Sequence, residues 1–318
     1  MAQRRGIQLP RVSAMQPVLL MILCMMAINA AYALRQFPGA GGRALLQSSH
    51  GNLIVDYIGA SGASDLQFTD LPISASLQYI LPLSFAIDAD ASGNTQNGNF
   101  NAFWASSLTP QSAQSFKQSN PNVKLLVSLA GFSQFLSDGT TRNVDWYDPP
   151  STDTWISNAV SSISNLVSQY SLDGVDVDYE NFPTSATFTT CIGGLISQLK
   201  SSGTISIASI APFGATISIY ADLFANFGSS IDYVNYQFYA DGLASQSDFI
   251  SRYNTVAGSF DASKLLPSVE AAGRGLQGSD FIGAAQQLTI PGIMIFNVDN
   301  DKGSGFSTEQ AVASFLST

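Results

Sequence analysis

The sequence predicts a single (β/α)8 barrel of the α/β class, and three observations predict it. Eight short apolar runs recur along residues 51–318. Most are continuous rather than alternating, as in parallel strands covered on both faces. Amphipathic stretches with a helical period separate several of them, which is the alternating order of a parallel sheet. The turn after the first run, GASGASD, lacks the glycine spacing of a dinucleotide-binding loop, which leaves a doubly wound open sheet as the weaker alternative.

Taken in order, the chain opens on a segment of a different kind. Residues 1–33 carry Arg4, Arg5 and Arg11, then the apolar run VLLMILCMMAI over 18–28, and end in Ala31, Tyr32 and Ala33. A basic leader, a short apolar run and a small-x-small site form the pattern of a signal peptide. The alternative is an uncleaved anchor, for which the run falls short of the ~20 residues that a span needs. Cleavage after Ala33 is expected, giving a secreted protein, extracellular or vacuolar, that carries no membrane segment. Residues 34–50 are rich in glycine and serine and read as a mature N-terminal tail. The barrel is expected over 51–318, with strands at 53–59, 77–87, 123–129, 172–179, 204–210, 231–239, 264–269 and 292–298. The clearest helical patterns are 152–169, 186–200, 245–259 and 307–316, and neither a second domain nor a repeat of solenoid length is visible.

Composition removes several chemistries. The chain has one histidine and two cysteines, and Cys24 falls in the leader. Cys191 is left alone in TFTTCIGGLISQLK, where it reads as a small buried apolar residue. Ser–His–Asp and Cys–His catalysis and histidine-based zinc sites lack their residues, and neither a metal nor a cofactor is expected. The formal charge of −10 becomes −13 once three arginines leave with the leader, and the remaining basic residues form no stripe. Nucleic acid is therefore not an expected partner, and the chain is expected to be a monomer. What chemistry remains must rest on carboxylates, Tyr, Asn and Gln.

The sequence places carboxylates where they cost most. In LDGVDVDYE (172–180), Asp176, Asp178 and Glu180 occupy alternate positions of a run whose other members, Val175 and Val177, are apolar. Strand side chains alternate between faces, so the valines face the helices and the acids face the barrel axis. Glu180 comes last, at the C-terminal mouth where barrel active sites are built. Solvated rim acids or helix caps would account for Glu180 alone, but not for two acids buried behind it, where desolvation and mutual repulsion both oppose ionisation.

The stretch DGVDVDYE (173–180) resembles the D-x-x-D-x-D-x-E signature of glycoside hydrolase family 18, the chitinases and their relatives. VDYIGA (55–60), LSFAID (83–88), NGNFNAFW (97–104), VKLLVSLAG (123–131), SIAPF (209–213) and YVNYQFYA (233–240) resemble the plant tulip-bulb-type chitinases, a group that also includes narbonin-like storage proteins. The resemblance runs from about Asn52 to the end of the chain. It implies hydrolysis of β-1,4-linked N-acetylglucosamine polymers with retention, the substrate's own acetamide oxygen attacking the anomeric carbon, an exception to the two-carboxylate scheme. Glu180 would be the general acid, with a raised pKa. Asp178 would orient the acetamide, and the deeper Asp176 would share a proton with it. Asp173, out of the inward register, would be structural. Gln237 and Tyr239 match the sixth-strand pair, the Tyr hydroxyl donating to the acetamido oxygen. Ser128 matches the third-strand hydroxyl that reaches the deepest Asp, although Ala130 and Gly131 stand where a glycine pair is usual.

Other positions remain open. Trp104 and Trp146 are either sugar-stacking or packing residues; Trp155 reads as core or surface, and Tyr233 and Tyr236 as packing. In the eighth run, IPGIMIFNVDND, Phe296 stands where the family usually carries a Trp beneath the sugar, with less area and no indole N–H. That departure keeps a second class open, a non-catalytic lectin, inhibitor or storage protein on the same barrel. A third reading makes Glu270 a nucleophile opposite Glu180, which leaves Asp176 and Asp178 unexplained. Glu309 reads as a solvated residue of the last helix.

Overall fold

The computed structural model describes residues 50–60 and 65–318. The expected signal peptide, and all of the expected tail except His50, lie outside the described residues. His50 itself opens the first strand and pairs with Ile290.

Eight parallel strands form the wall: β1 His50–Asp56, β2 Gln78–Ile87, β3 Val123–Gly131, β4 Gly174–Tyr179, β5 Ile207–Ile210, β6 Tyr233–Val234, β7 Ser268–Glu270 and β8 Ile290–Phe296. Their hydrogen-bonded order is β7-β8-β1-β2-β3-β4-β5-β6. The remaining gap is closed by a parallel bridge between Val234 and Leu265. There the Val234 N–H donates to the Lys264 carbonyl at 2.8 Å and the Leu266 N–H to the Val234 carbonyl at 3.0 Å. The sheet is thus a closed (β/α)8 barrel, the geometry that removes exposed strand edges. The expected strand 264–269 breaks into that bridge and the short β7 because Pro267 has no N–H to give to a ladder.

Among the described residues, seven helices of eight residues or more follow the strands: α1 Pro110–Ser119, α2 Thr152–Tyr170, α3 Phe188–Ser201, α4 Ile217–Phe227, α5 Gln246–Val256, α6 Gly278–Ala285 and α7 Ser307–Leu316. The link from β1 to β2 carries only the 3-10 turn Phe68–Asp70 among the described residues. Serine or threonine caps start three helices, with Thr109, Ser151 and Ser245 accepting from the N–H three residues on, each worth ~1 kcal/mol. The clearest helical patterns of the sequence do not include α1, α4 or α6. Helix α1 buries only Ala113 and Phe116, α4 is apolar on several sides, and α6 has 8 residues.

Alternation along the strands sorts two cores. Leu53, Val55, Tyr57, Ile80, Leu126, Leu266 and Met294 fill the barrel, while Ile54, Ile58, Val175 and Val177 pack outward with the helices. Each such side chain contributes ~1.5–3 kcal/mol. Trp146 and Trp155 also belong to the outer core, edge to face with ring centres 5.4 Å apart, so neither is a sugar-stacking surface. The Trp155 indole N–H donates to Asp88 at 2.9 Å. Cys191 is buried in α3, and burial pushes its thiol up to about 11, an unreactive state.

Glu309 departs from its expected place. It is 4% exposed, because α7 buries a stripe of Glu309, Val312, Phe315 and Leu316 that follows the helical period. Beneath it lies Asp56, buried on the outward face of β1 between Ile54 and Ile58. Burial first, and then the Asp56 carboxylate, push Glu309 up to about 11. Asp301, also buried, accepts from the Thr308 N–H at 2.6 Å.

Candidate active site

Register assembles the deepest part of the site. In the ladders, Asp176 of β4 lies beside Ser128 of β3 and Ser209 of β5, and both hydroxyls point inward with it. Asp176 accepts four hydrogen bonds, from Ser128 at 2.7 Å, Ser209 at 2.6 Å, the Tyr57 hydroxyl at 2.9 Å and the Asn235 amide at 3.1 Å. The Asn235 amide also donates to the Tyr57 oxygen at 3.2 Å. Burial raises the Asp176 pKa, and these donors oppose it. Both Asp176 oxygens are occupied by neutral donors. The proton expected to be shared with Asp178 is not a hydrogen bond of this structure; the two acids act on one another by repulsion.

One layer up, Asp178 stands beside Ala130, whose small side chain leaves room above it. Its carboxylate accepts from the Gln237 amide at 3.0 Å, and that amide is steadied by the Ala211 carbonyl at 3.1 Å. Burial, followed by repulsion from Glu180 and then Asp176, holds Asp178 well above the usual carboxylate range. Glu180, just past β4, is pushed up to about 7 by burial, against the Arg274 charge and the Gln237 amide, which pull it down. The pair is therefore poised to retain a proton near neutrality.

A cavity of about 540 Å³ opens over these groups, lined by Glu180, Gln237, Tyr239, Phe296, Arg274, Asn297, Phe85 and Phe132 among others. That size suits a small-molecule site. Phe296 lies 6.0 Å from Tyr239, nearly parallel, and 5.7 Å from Tyr57. The Arg274 guanidinium sits 4.9 Å from the centre of the Tyr239 ring. Gly275, with φ +76°, makes that approach possible, since a Cβ there would fall 2.7 Å from the Tyr239 Cα. Gly131, with φ +73°, likewise leaves space for the Phe85 ring. Phe132 is one of two large apolar side chains that are exposed among the described residues.

Of the residues singled out from sequence, Glu180, Gln237, Tyr239 and Phe296 line the cavity, with Asp178 below and Asp176 and Ser128 at the bottom. Gln237 and Tyr239 lie beyond the end of β6, and Tyr239 sits in the 3-10 turn Phe238–Asp241. Ser128 is fully buried and meets Asp176, not the cavity. Trp104 is elsewhere: it is 7% exposed and set edge-on against Tyr170 at 5.0 Å in the outer core, so it is a packing residue. Glu270 accepts the Arg274 N–H at 2.8 Å and lies 3.7 Å from its Nε, which ties it to Arg274. Asp173 pairs with Lys117 at 2.7 Å and accepts the Leu125 N–H at 2.9 Å, a structural role. Sequence reasoning missed Tyr57, Ser209, Asn235 and Arg274. Asn235 had a signal, since it shares the odd register of Tyr233, Gln237 and Tyr239.

Comparison with known proteins agrees with this arrangement. Residues 53–280 match the family described as Glycosyl hydrolases family 18. The chain is 34% identical over 278 residues to Chitinase 1 of Tulipa saxatilis subsp. bakeri, covering 83% of this chain and 86% of that one. It is 31% identical over 182 residues to the RuBisCO-associated protein of Glycine max, covering 54% of this chain and 61% of that one. Among solved structures, the catalytic domain of a family GH18 chitinase from the fern Peteris ryukyuensis superposes with a TM-score of 0.78 at 40% identity, over 84% of this chain and 100% of that one.

Proposed function

Because the chain belongs to glycosyl hydrolases family 18, we propose that it is a secreted hydrolase of β-1,4-linked N-acetylglucosamine polymers that works by substrate assistance. Glu180 carries the reading: its pKa, pushed up to about 7 by burial, lets a carboxyl at the cavity wall arrive protonated at neutral pH. It gives that proton to the glycosidic oxygen as the bond to the anomeric carbon breaks. The acetamide oxygen of the same sugar forms the new bond, and charge develops on an oxazolinium ring. Asp178 accepts the acetamide N–H and stabilises that charge, while the Tyr239 hydroxyl meets the acetamide oxygen. Glu180, now a carboxylate favoured by the Arg274 charge, takes a proton from the water that opens the ring, giving retention. Asp176, fixed by four neutral donors, supplies a negative field below Asp178 and needs no contact with substrate.

A second reading, a sugar-binding protein without turnover, is favoured by Phe296 in place of the family's usual Trp. One assay separates the two. The wild-type chain is expected to cleave N-acetylglucosamine oligomers, and Glu180→Gln to bind them while losing ~100- to 10,000-fold in turnover. Near-wild-type turnover by that variant removes Glu180 from its role, and an inactive wild type that still binds oligomers supports the second reading.

A further inference from the structure

The proposed hydrolase needs the Tyr239 hydroxyl at one point, yet no hydrogen bond holds that hydroxyl there. It has no polar partner among the described residues. Its ring is flanked by Phe296 at 6.0 Å and by the Arg274 guanidinium at 4.9 Å, contacts that leave the phenol free to slide. The hydroxyl therefore goes where its backbone goes. That backbone is the 3-10 turn Phe238–Asp241, which ends at Gly242 with φ +67°.

The two sides of the turn are tied differently. On the incoming side the main chain is fixed by neighbouring strands: the Gln237 N–H donates to the Pro212 carbonyl at 2.9 Å, and the Phe238 N–H to the Ser268 hydroxyl of β7 at 2.8 Å. On the outgoing side the tether is a side chain. The Asp241 carboxylate accepts from Arg252 Nε at 2.6 Å and from the Tyr236 hydroxyl at 2.9 Å, and Arg252 Nη2 donates to the Tyr236 oxygen at 2.5 Å. The three groups close a ring of charge-assisted hydrogen bonds, the strong kind. Gly214, after β5, leaves the space that the carboxylate fills, since a Cβ there would fall 2.7 Å from Asp241 Oδ1.

Arg252 itself is well anchored. It lies on α5 between Phe249 and Tyr253, whose rings pack on Phe238 at 5.0 and 5.7 Å. Tyr236 packs as its sequence suggests, 4.6 Å from Phe238, but its hydroxyl has this second task. The Asp241 side chain is only 10% exposed, so water competes weakly for it.

We infer that Arg252 is a positioning residue for the reaction: through Asp241 and Tyr236 it fixes the turn that sets the Tyr239 hydroxyl at the acetamide oxygen. Arg252 touches no substrate, and the inference rests on the role proposed above for Tyr239.

The test is a double-mutant cycle on an N-acetylglucosamine hexamer, with turnover expressed per folded molecule from melting curves. Arg252→Ala is expected to lower kcat/KM by about 10- to 100-fold, the scale of a misplaced group. The loss should fall mainly on kcat, because the acetamide oxygen is gripped as charge develops. In a Tyr239→Phe background the same substitution should cost less than about twofold, since the hydroxyl it positions is gone. Arg252→Lys keeps the charge without the fork that spans both oxygens, and should recover only part of the rate. Should Arg252→Ala not accumulate folded, Tyr236→Phe, which removes one hydroxyl and keeps the ring, carries the same cycle. Equal losses in both backgrounds, or wild-type kcat in folded Arg252→Ala, overturn the inference and leave the hydrolase reading intact. A wild-type chain that does not cleave the hexamer fails at the hydrolase reading itself and takes this inference with it.

Discussion

At the scale of the residue, Glu180 shows how a carboxyl is kept in its acid form without a dedicated partner. Burial raises its pKa to about 7, and Arg274 limits the rise. A raised carboxyl is protonated below its pKa and loses the proton as pH climbs through it, so kcat/KM should be flat or rising toward neutrality and fall above about pH 7. Removing the Arg274 charge takes away an influence that lowers the pKa. Arg274→Gln should therefore move the descending limb to higher pH, read from a pH profile on an acetylated oligomer. A limb that stays in place, or moves down, shows that the ionisation seen in the profile is not that of Glu180.

At the scale of the element, β4 derives its chemistry from alternation and from its neighbours' register, and the two differ in how far a sequence reveals them. Alternation put Val175 and Val177 outward and Asp176 and Asp178 inward, and the structure has them so. The donors to Asp176 lie 119, 48, 33 and 59 residues away along the chain. Their pairing depends on strand register, which no local pattern specifies, and so Tyr57, Ser209 and Asn235 were missed. Trp104 stayed open between stacking and packing because an aromatic residue in a loop does not disclose which core it fills. Helix α7 gives the opposite case: the period-3.6 stripe was legible, but Glu309 looked like a surface residue by type alone. Its folded-state pKa lies above its unfolded value, so the folded chain binds more protons and loses stability as pH rises from about 4.5 toward 11. Glu309→Gln removes that titration and can donate to Asp56. It should stabilise the fold at pH 8 by ~1–3 kcal/mol, the scale of a buried polar group left unpaired, with little gain at pH 4. Melting curves at the two pH values check this; equal effects at both would mean that Glu309 is not held neutral.

At the scale of the whole molecule, barrel closure gathers the site from strands far apart in sequence, and the expected leader would decide where it works. Protein from a eukaryotic secretion host is expected to begin near Leu34, as N-terminal sequencing would show; a start at Met1, with the protein retained in membranes, would overturn the secreted assignment. Closure also brings β4 and β7 to one mouth, which raises the question of whether Glu180 works with the substrate's acetamide or with Glu270. The structure gives Glu270 another occupation, since its carboxylate accepts the Arg274 N–H at 2.8 Å, whereas Asp178 is held beneath the cavity by Gln237 at 3.0 Å. Glu270→Gln preserves an acceptor for that N–H and should lower turnover by less than ~10-fold. Asp178→Asn removes the group facing the developing charge and should cost ~100-fold or more. Fully deacetylated oligomers, which carry no internal nucleophile, should resist wild type. A nucleophilic Glu270 demands the reverse on every point. Turnover of both variants on acetylated and fully deacetylated oligomers decides between them: an inactive Glu270→Gln chain, together with wild-type cleavage of the deacetylated oligomer, would end the case for substrate assistance.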